Sequence, residues 1–367
     1  MSERPFQIEE ITHQFGLDGV YAGYSRIDNG HINNTYVLHF EQGGDCRDYL
    51  LQQINTHVFR NPDELMENII GVTSYLREQI ERAGGDTQRE TLTVYRTVDG
   101  KPYYRDEENR CWRIYNFISN AYTCQSITDP VVFYNAARAF GNFQCRLADY
   151  PSASLHETIP NFHNTVSRFQ DLLSAIEADE KGRAALVQKE IAFAKAREAD
   201  CHVLLDLVAK GELPLRVTHN DTKLNNVMFD NETKQGICVI DLDTVMPGLS
   251  LYDFGDSIRF GANTAAEDEK DLSRVSLDLE LFEQYVKGYL SAAGESLTKA
   301  EIDYLAFSAK LMTFECGIRF LTDYLNGDTY FKISYPEHNL DRCHTQFALV
   351  ADIERKLDQM REIVARA

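Results

Sequence analysis

Two short runs near the start of the chain alternate apolar and polar residues, Tyr36-Val37-Leu38-His39-Phe40 and Tyr49-Leu50-Leu51-Gln52-Gln53-Ile54. The turn-rich Glu41-Gln42-Gly43-Gly44-Asp45 between them predicts a hairpin. From 63 to 79 the period changes: Leu65, Ile69, Val72 and Leu76 fall on one face of a helix. Strand-like patterning returns over 91–98 and 111–118, as a pair arranged around the turn Asp99-Gly100-Lys101-Pro102. Asp129-Pro130 then opens a helix carrying Phe133, Ala137, Phe140 and Leu147. Two more helical stretches cover roughly 165–210, ending at Gly211-Glu212-Leu213-Pro214. A polar, strand-rich block over 215–260 follows, and helices continue from there to the C-terminus. There is no internal repeat and no low-complexity linker. The pattern predicts an α+β chain with a small β-rich N-terminal lobe, 1–118, and a larger, mainly helical lobe, 119–367.

Composition narrows the class without locating the chemistry. A chain of 367 residues suggests about two domains, and 43% hydrophobic with 26% charged residues is ordinary for a soluble globular protein. The net charge of −20, from 37 basic against 57 acidic residues, argues against nucleic acid or an anionic membrane surface as partner. The N-terminus lacks the basic and apolar regions of a signal peptide, and no apolar run approaches the ~18 residues needed to span a bilayer. The eight cysteines form no C-x-x-C pair and no zinc spacing, so reduced thiols and a cytoplasmic location are expected.

The chemistry is carried by Val217-Thr218-His219-Asn220-Asp221-Thr222-Lys223-Leu224-Asn225-Asn226, followed by Val239-Ile240-Asp241-Leu242-Asp243. His219, Asp221 and Asn226 keep the register of a kinase catalytic loop, in which Asp meets the acceptor hydroxyl and Asn, five residues on, holds magnesium. Asp221 is therefore the candidate general base, with Asn226 and Asp241 the candidate Mg²⁺ ligands, because hard cations prefer oxygen donors. Asp243 lies on the same face as Asp241 if strand geometry persists, where it could hold a second metal or the substrate. His219 reads as a structural loop residue. Asp253-Phe254-Gly255 spells the protein-kinase metal motif but lies thirty-two residues after Asp221, with Asp241 already in place at +20. Asp253 is instead expected to be a buried acid bonding the catalytic-loop backbone, or else a helix N-cap.

No Walker motif occurs. Asp28-Asn29-Gly30-His31-Ile32-Asn33-Asn34-Thr35 lies between two strands, where kinases carry a Gly-rich loop. Gly30, His31, Asn33, Asn34 and Thr35 could donate to phosphate oxygens, although Asn29-Gly30 equally suits a plain hairpin turn. The strand that should supply a phosphate-binding lysine reads Leu50-Leu51-Gln52-Gln53. Gln52 can donate a hydrogen bond but no charge, so either Mg²⁺ takes over the neutralisation or a basic residue reaches in from elsewhere. The adenine of ATP is expected at the lobe hinge, around Tyr115-Asn116-Phe117-Ile118, with Tyr115 and Phe117 beside it.

With these residues the chain resembles the aminoglycoside phosphotransferase and choline kinase superfamily, and within it the subgroup of N-acetylhexosamine 1-kinases. The likeness covers nearly the whole chain, through Gly30-His31-Ile32-Asn33, Leu51-Gln52-Gln53, the 218–226 loop, Ile240-Asp241-Leu242-Asp243-Thr244, the stretch 253–261 and Glu315-Cys316-Gly317-Ile318-Arg319-Phe320. The resemblance implies a protein-kinase-like bilobal fold with nucleotide in the cleft. It implies Mg²⁺-dependent transfer of the γ-phosphoryl of ATP to the anomeric hydroxyl of N-acetylglucosamine or N-acetylgalactosamine, giving the α-sugar 1-phosphate. By the same resemblance Thr244, Arg319 and Tyr330 line the sugar pocket beside Asp221, with His31 nearby, and a monomer is expected. The alternatives are another small-molecule kinase, acting on choline, ethanolamine, homoserine or an aminoglycoside, and a nucleotide-binding module without turnover.

Overall fold

The computed structural model describes residues 8–27, 33–127 and 129–367. A short helix α1 (Ile8–Thr12) precedes strands β1 (Val20–Ile27), β2 (Asn34–Gln42) and β3 (Asp45–Ile54). β2 and β3 form the expected hairpin, Tyr36 opposite Leu51 and Leu38 opposite Tyr49. Gly43 and Gly44 turn the chain at φ of 63° and 97°, a region that side chains disfavour. Helix α2 (Pro62–Arg82) opens with Asn61 accepting from Glu64 N and buries the predicted stripe of Leu65, Ile69, Val72 and Leu76.

The next strands are more broken than their patterning suggested. Instead of one long pair, β4 (Val94–Tyr95) and β5 (Tyr104–Arg105) each dock as two residues on β6 (Cys111–Asn116). Thr97 explains the break. Its N–H donates to Lys101 O, its carbonyl accepts from Gly100 N and its hydroxyl accepts from Lys101 N, closing a local turn with groups a longer ladder would need. The sheet runs β1-β2-β3-β6-β4, with β5 also on β6. One face packs on α1 through Ile8, Ile11, Leu38, Leu51, Trp112 and Ile114.

After β6, β7 (Ala121–Tyr122) leads to α3 (Pro130–Arg146), with Asp129 as N-cap and Pro130 at the first position, as read from the sequence. The region expected to hold two helices holds three: α4 (Thr165–Ala178), α5 (Gln188–Lys195) and α6 (Val203–Ala209). Asp179, left-handed at φ 38°, terminates α4, and Gly182 at φ 65° keeps the chain from resuming it. The 215–260 block contains β8 (Arg216–Thr218), β9 (Val227–Asp230), β10 (Gly236–Val239) and β11 (Met246–Gly248), with β8 on β11 and β9 between β10 and β7. It runs into α7 (Ser250–Gly261), then α8 (Leu279–Ala293), α9 (Lys299–Asp303), α10 (Leu305–Asn326) and α11 (His338–Arg366).

Phe254 anchors α7 against Phe282, Tyr285 and Tyr289 of α8, and Gly255 lets the same helix approach the Ser308 carbonyl of α10 too closely for any Cβ. A separate cluster joins α2 to the catalytic block, with Leu65, Ile69 and Val72 sharing one core with Val217, Leu242 and Val245. All eight cysteines are unpaired. No described helix is long and apolar enough to cross a membrane.

Candidate active site

The loop after β8 is held from below by α7. Asp253, buried in that helix, accepts from the backbone N–H of His219 (2.9 Å) and of Asn220 (2.7 Å), and its carbonyl accepts the Thr222 hydroxyl (2.6 Å). Gln144 of α3 donates to the same carboxylate and to Val217 O. Burial pushes the Asp253 carboxyl up, and these donors together with His219 oppose that shift. Asn220 sits in the left-handed region at φ 64°, a conformation asparagine tolerates and β-branched residues do not. Its side chain donates to Thr244 O, while the Thr244 hydroxyl donates to His219 O at 2.6 Å. Thr244, expected in the sugar pocket, therefore commits its hydroxyl hydrogen to the loop.

This bracing presents Asp221 at the loop's tip. One carboxylate oxygen lies 2.8 Å from Lys223 Nζ and the other 3.3 Å from Asn226 Nδ2, which also donates to Asp221 O. With that amide nitrogen engaged, the oxygen of Asn226 is the atom left to offer a cation. His219 reaches across to Ile240 O at 2.8 Å, and Ile240 N donates to Asn226 O. His219 thus ties the two motif segments together, and its Nδ1 accepts from the Asp221 backbone N–H.

The second motif departs from its strand-like alternation. β10 ends at Val239, Asp241 is left-handed at φ 59°, and Leu242–Thr244 form a single 3-10 turn. The Ile240 backbone is engaged by the catalytic loop, so no ladder partner remains to carry the strand onward. Asp243 accordingly does not share a strand face with Asp241. It turns toward the N-terminal sheet, where Arg113 Nη1 lies 2.5 Å away and Asn33 Nδ2 donates to it at 2.7 Å. Asp241 is the residue crowded by charge. Its surface is open to solvent, yet the protein packed around it and the charges of Asp243 and Asp221 push its carboxyl up. Carboxylates and an amide oxygen are the donor types a hard divalent cation takes, and such a cation would relieve the repulsion that Asp243 and Asp221 exert on Asp241.

On the phosphate side, Gln52 donates to the buried Thr35 hydroxyl and accepts from Arg113, and Asn33 also accepts from Asn55 N. Asn34 points elsewhere, donating to Gln53 at an exposed position. Gly30 and His31 lie outside the described residues. Tyr115 is buried with its ring 5.1 Å from the Arg113 guanidinium, and Phe117 is 38% exposed. Between them Asn116 uses its N–H and side chain on Thr93, Gln88 and Thr91.

Arg319 and Tyr330 line a separate cavity of about 410 Å³ with Arg168, Asp171, Asp323 and Phe331. The Arg319 guanidinium lies over three rings, those of Phe162, Tyr330 and Phe331, at 5.3–5.8 Å. Burial and the nearby Arg319 lower the basicity of Arg168. Asp323 accepts from the backbone N–H groups of Thr329, Tyr330 and Phe331 and from Asn339, so its charge holds the wall in shape. Arg319 of that cavity also covers Phe162, and the adjoining His163 touches the 218–226 loop. His163 Nε2 donates to Asn220 O at 3.2 Å and Nδ1 faces Glu315 Oε1 at 2.7 Å. Both ring nitrogens are thus engaged, which fixes the ring between the loop and α10. Burial alone would raise the Glu315 carboxyl, but His163 beside it, with Arg319 and Thr165, holds it below its usual value.

Sequence reasoning placed the loop but missed Arg113, Gln144, His163 and Arg168. Arg113 did leave a signal, a lone charge inside the buried run Cys111-Trp112-Arg113-Ile114-Tyr115, where an arginine needs a partner to be tolerated. His163 and Gln144 carry no comparable local mark.

Residues 23–295 match the phosphotransferase enzyme family. Among solved structures, the chain is similar to an aminoglycoside phosphotransferase from Alicyclobacillus acidocaldarius, at 14% identity and a TM-score of 0.65, covering 100% of this chain and 98% of that one. It is similar as well to a choline kinase from Cryptosporidium parvum (15% identity, TM-score 0.53, 94% and 92% covered). A third likeness is to spectinomycin phosphotransferase APH(9)-Ia in complex with ADP and spectinomycin (16% identity, TM-score 0.52, 97% and 100% covered). These likenesses describe the fold, a β-rich lobe over a helical one.

Proposed function

The chain belongs to the phosphotransferase enzyme family, and on that premise we propose that it is an ATP- and Mg²⁺-dependent kinase phosphorylating the anomeric hydroxyl of N-acetylhexosamines. Residues 1–118 would form the nucleotide side of the cleft and 119–367 the catalytic and sugar side, in a cytoplasmic monomer. The observation that carries the choice of acceptor is the filled aromatic box. Phe162, Tyr330 and Phe331 could cage a quaternary ammonium, but Arg319 already lies over all three rings, with Arg168 in the same cavity. A choline or aminoglycoside cation would meet two guanidinium groups there, whereas a neutral sugar finds hydrogen-bond donors and ring faces to stack on.

In this reading Asp221 accepts the proton of the anomeric hydroxyl and orients its oxygen toward the γ-phosphorus. That hydroxyl is more acidic than an ordinary alcohol, so one positioned carboxylate suffices. Lys223, beside Asp221 in the free site, is placed to follow charge from that carboxylate toward the transferring group. Asn226, Asp241 and Asp243 would hold magnesium, which neutralises phosphate oxygens when bound. The chain's own work is positioning: α7 fixes the loop through Asp253, and His163 fixes its Asn220 carbonyl against the sugar-side wall.

The test is ³¹P NMR of the protein with Mg·ATP and N-acetylglucosamine, then N-acetylgalactosamine. A new phosphomonoester resonance coupled to a single anomeric proton is expected. Silence with both sugars, together with turnover of choline or an amino alcohol, would overturn the acceptor assignment while leaving the catalytic loop's role intact.

A further inference from the structure

Gln52 leaves the phosphate side of the cleft without a strand-borne cation, and Arg113 stands directly across the ladder from it. The two are register partners on β3 and β6. Arg113 Nε and Nη2 donate to Gln52 Oε1 at 3.1 and 2.8 Å, while Nη1 lies 2.5 Å from Asp243 Oδ1. Among the described residues neither Nη1 nor that oxygen has a hydrogen-bond partner of good geometry, so the contact between them is one of charge. The guanidinium is 1% exposed. Burial works against its charge, and Asp243, Tyr115 and Asp241 more than reverse that effect.

Its neighbours are the groups expected around phosphates and metal: Asn33 and Thr35 at the entrance of β2, Gln52 on β3, Asp241 and Asp243 on the catalytic turn. Among the described residues, no other lysine or arginine touches Gln52 or Asp243. Lys223, the other cation near the centre, is paired with Asp221 on the catalytic loop. The ion pair also carries its own exchange. Asp243 satisfies either the guanidinium or a metal ion fully, and an arginine released from it presents a planar fork that matches phosphate oxygens.

We propose that Arg113 is the phosphate-neutralising cation of this site: Asp243 holds its guanidinium in the free cleft, and the nucleotide phosphates take it up when Mg·ATP binds. The role rests on the kinase reading above and moves the missing charge from one strand to its neighbour. It also gives Gln52 a task, that of aiming Arg113 by accepting from two of its nitrogens.

The experiment is isothermal titration of Mg·ATP, without acceptor, into the wild-type chain, Arg113→Lys and Arg113→Met. Loss of a charge-assisted bond of this kind weakens binding about 10- to 100-fold, so Arg113→Met should fall in that range and Arg113→Lys between it and wild type. Mg·ATP binding by Arg113→Met within about twofold of wild type overturns the proposal. Because Arg113→Met strands Asp243 and risks misfolding, the wild-type chain is also crystallised with Mg²⁺ and a non-hydrolysable ATP analogue. A guanidinium nitrogen within hydrogen-bond distance of a β- or γ-phosphate oxygen is the expected result. An Arg113 still on Asp243 with no nucleotide oxygen in reach refutes the proposal independently of any variant. Failure of wild type to bind Mg·ATP at all would instead refute the kinase reading.

Discussion

Asn220 N donates to Asp253 Oδ1 at 2.7 Å, so a helix carboxylate grips the backbone immediately before the candidate base. The neighbouring His219 N–H takes the other oxygen, and Asn220 is left-handed, which makes the pair a clamp on an uncommon backbone shape. In Asp253→Asn an amide NH₂ faces a backbone N–H, and one donor is left buried without an acceptor. We expect a loss of about 1–3 kcal/mol in urea unfolding and a fall in kcat of at least tenfold. An unchanged kcat would show that the clamp serves stability alone.

Asp221→Asn keeps the side-chain shape and one acceptor for Asn226 but removes the base. Its kcat should fall at least ~10²-fold, the usual scale for a positioned proton acceptor, with a normal melting temperature and little change in the KM for ATP. Turnover within a few-fold of wild type would remove Asp221 from the role.

Arg319 contacts the aromatic wall rather than the metal site, so the two substrates should separate in Arg319→Met. The KM for the sugar is expected to rise about tenfold or more, the scale of a lost charged hydrogen bond, with the KM for ATP unchanged. Parallel changes in both constants would place Arg319 in the nucleotide site or in the general fabric of the lobe.

What the sequence revealed and what it hid divides along sequence separation. The hairpin of β2 and β3, the stripe of α2 and the Asp129-Pro130 start of α3 are signalled by residues a few positions apart, and the structure has all three. The catalytic loop is equally local. Ile240-Asp241-Leu242-Asp243 misled because period-two alternation also describes a left-handed residue followed by a 3-10 turn. The competition for the Ile240 backbone comes from His219 and Asn226, fourteen or more residues away. Arg113 and Gln52 are sixty-one positions apart, and their pairing depends on which strands neighbour one another. His163 meets Asn220 and Glu315, partners 57 and 152 positions away that no local pattern links to it.

Asp352 supplies a pH dependence remote from the site. On α11 it accepts from Ser276 Oγ, Leu277 N and Lys356 Nζ. Burial would raise its carboxyl, but Lys356 and these donors hold it down at about 2. A carboxyl lower in the folded than in the unfolded chain stabilises the fold above the unfolded value near 4, and that contribution disappears as pH falls toward 2. Asp352→Asn should therefore cost about 2 kcal/mol at pH 7, and its gap from wild type in urea midpoints should narrow steadily below pH 4. A gap that stays constant down to pH 3 would assign the effect to packing.

α2 has a mechanical consequence. Its apolar face lies in one cluster with Val217, Leu242 and Val245, and Asn68 bridges the carbonyls of His156 and Val245 while accepting from His156 N. The helix belongs by sequence to the β-rich lobe, yet it is bolted to the catalytic turn and works as a party wall between the two halves. The same cluster takes in Ile54, Cys111 and Tyr115 of the sheet, so a wide swing of the upper lobe would break joints on both sides of the helix and leave only small sliding movements of packed layers. Nucleotide entry and exit would then proceed through small shifts of the strands rather than through a wide opening of the cleft.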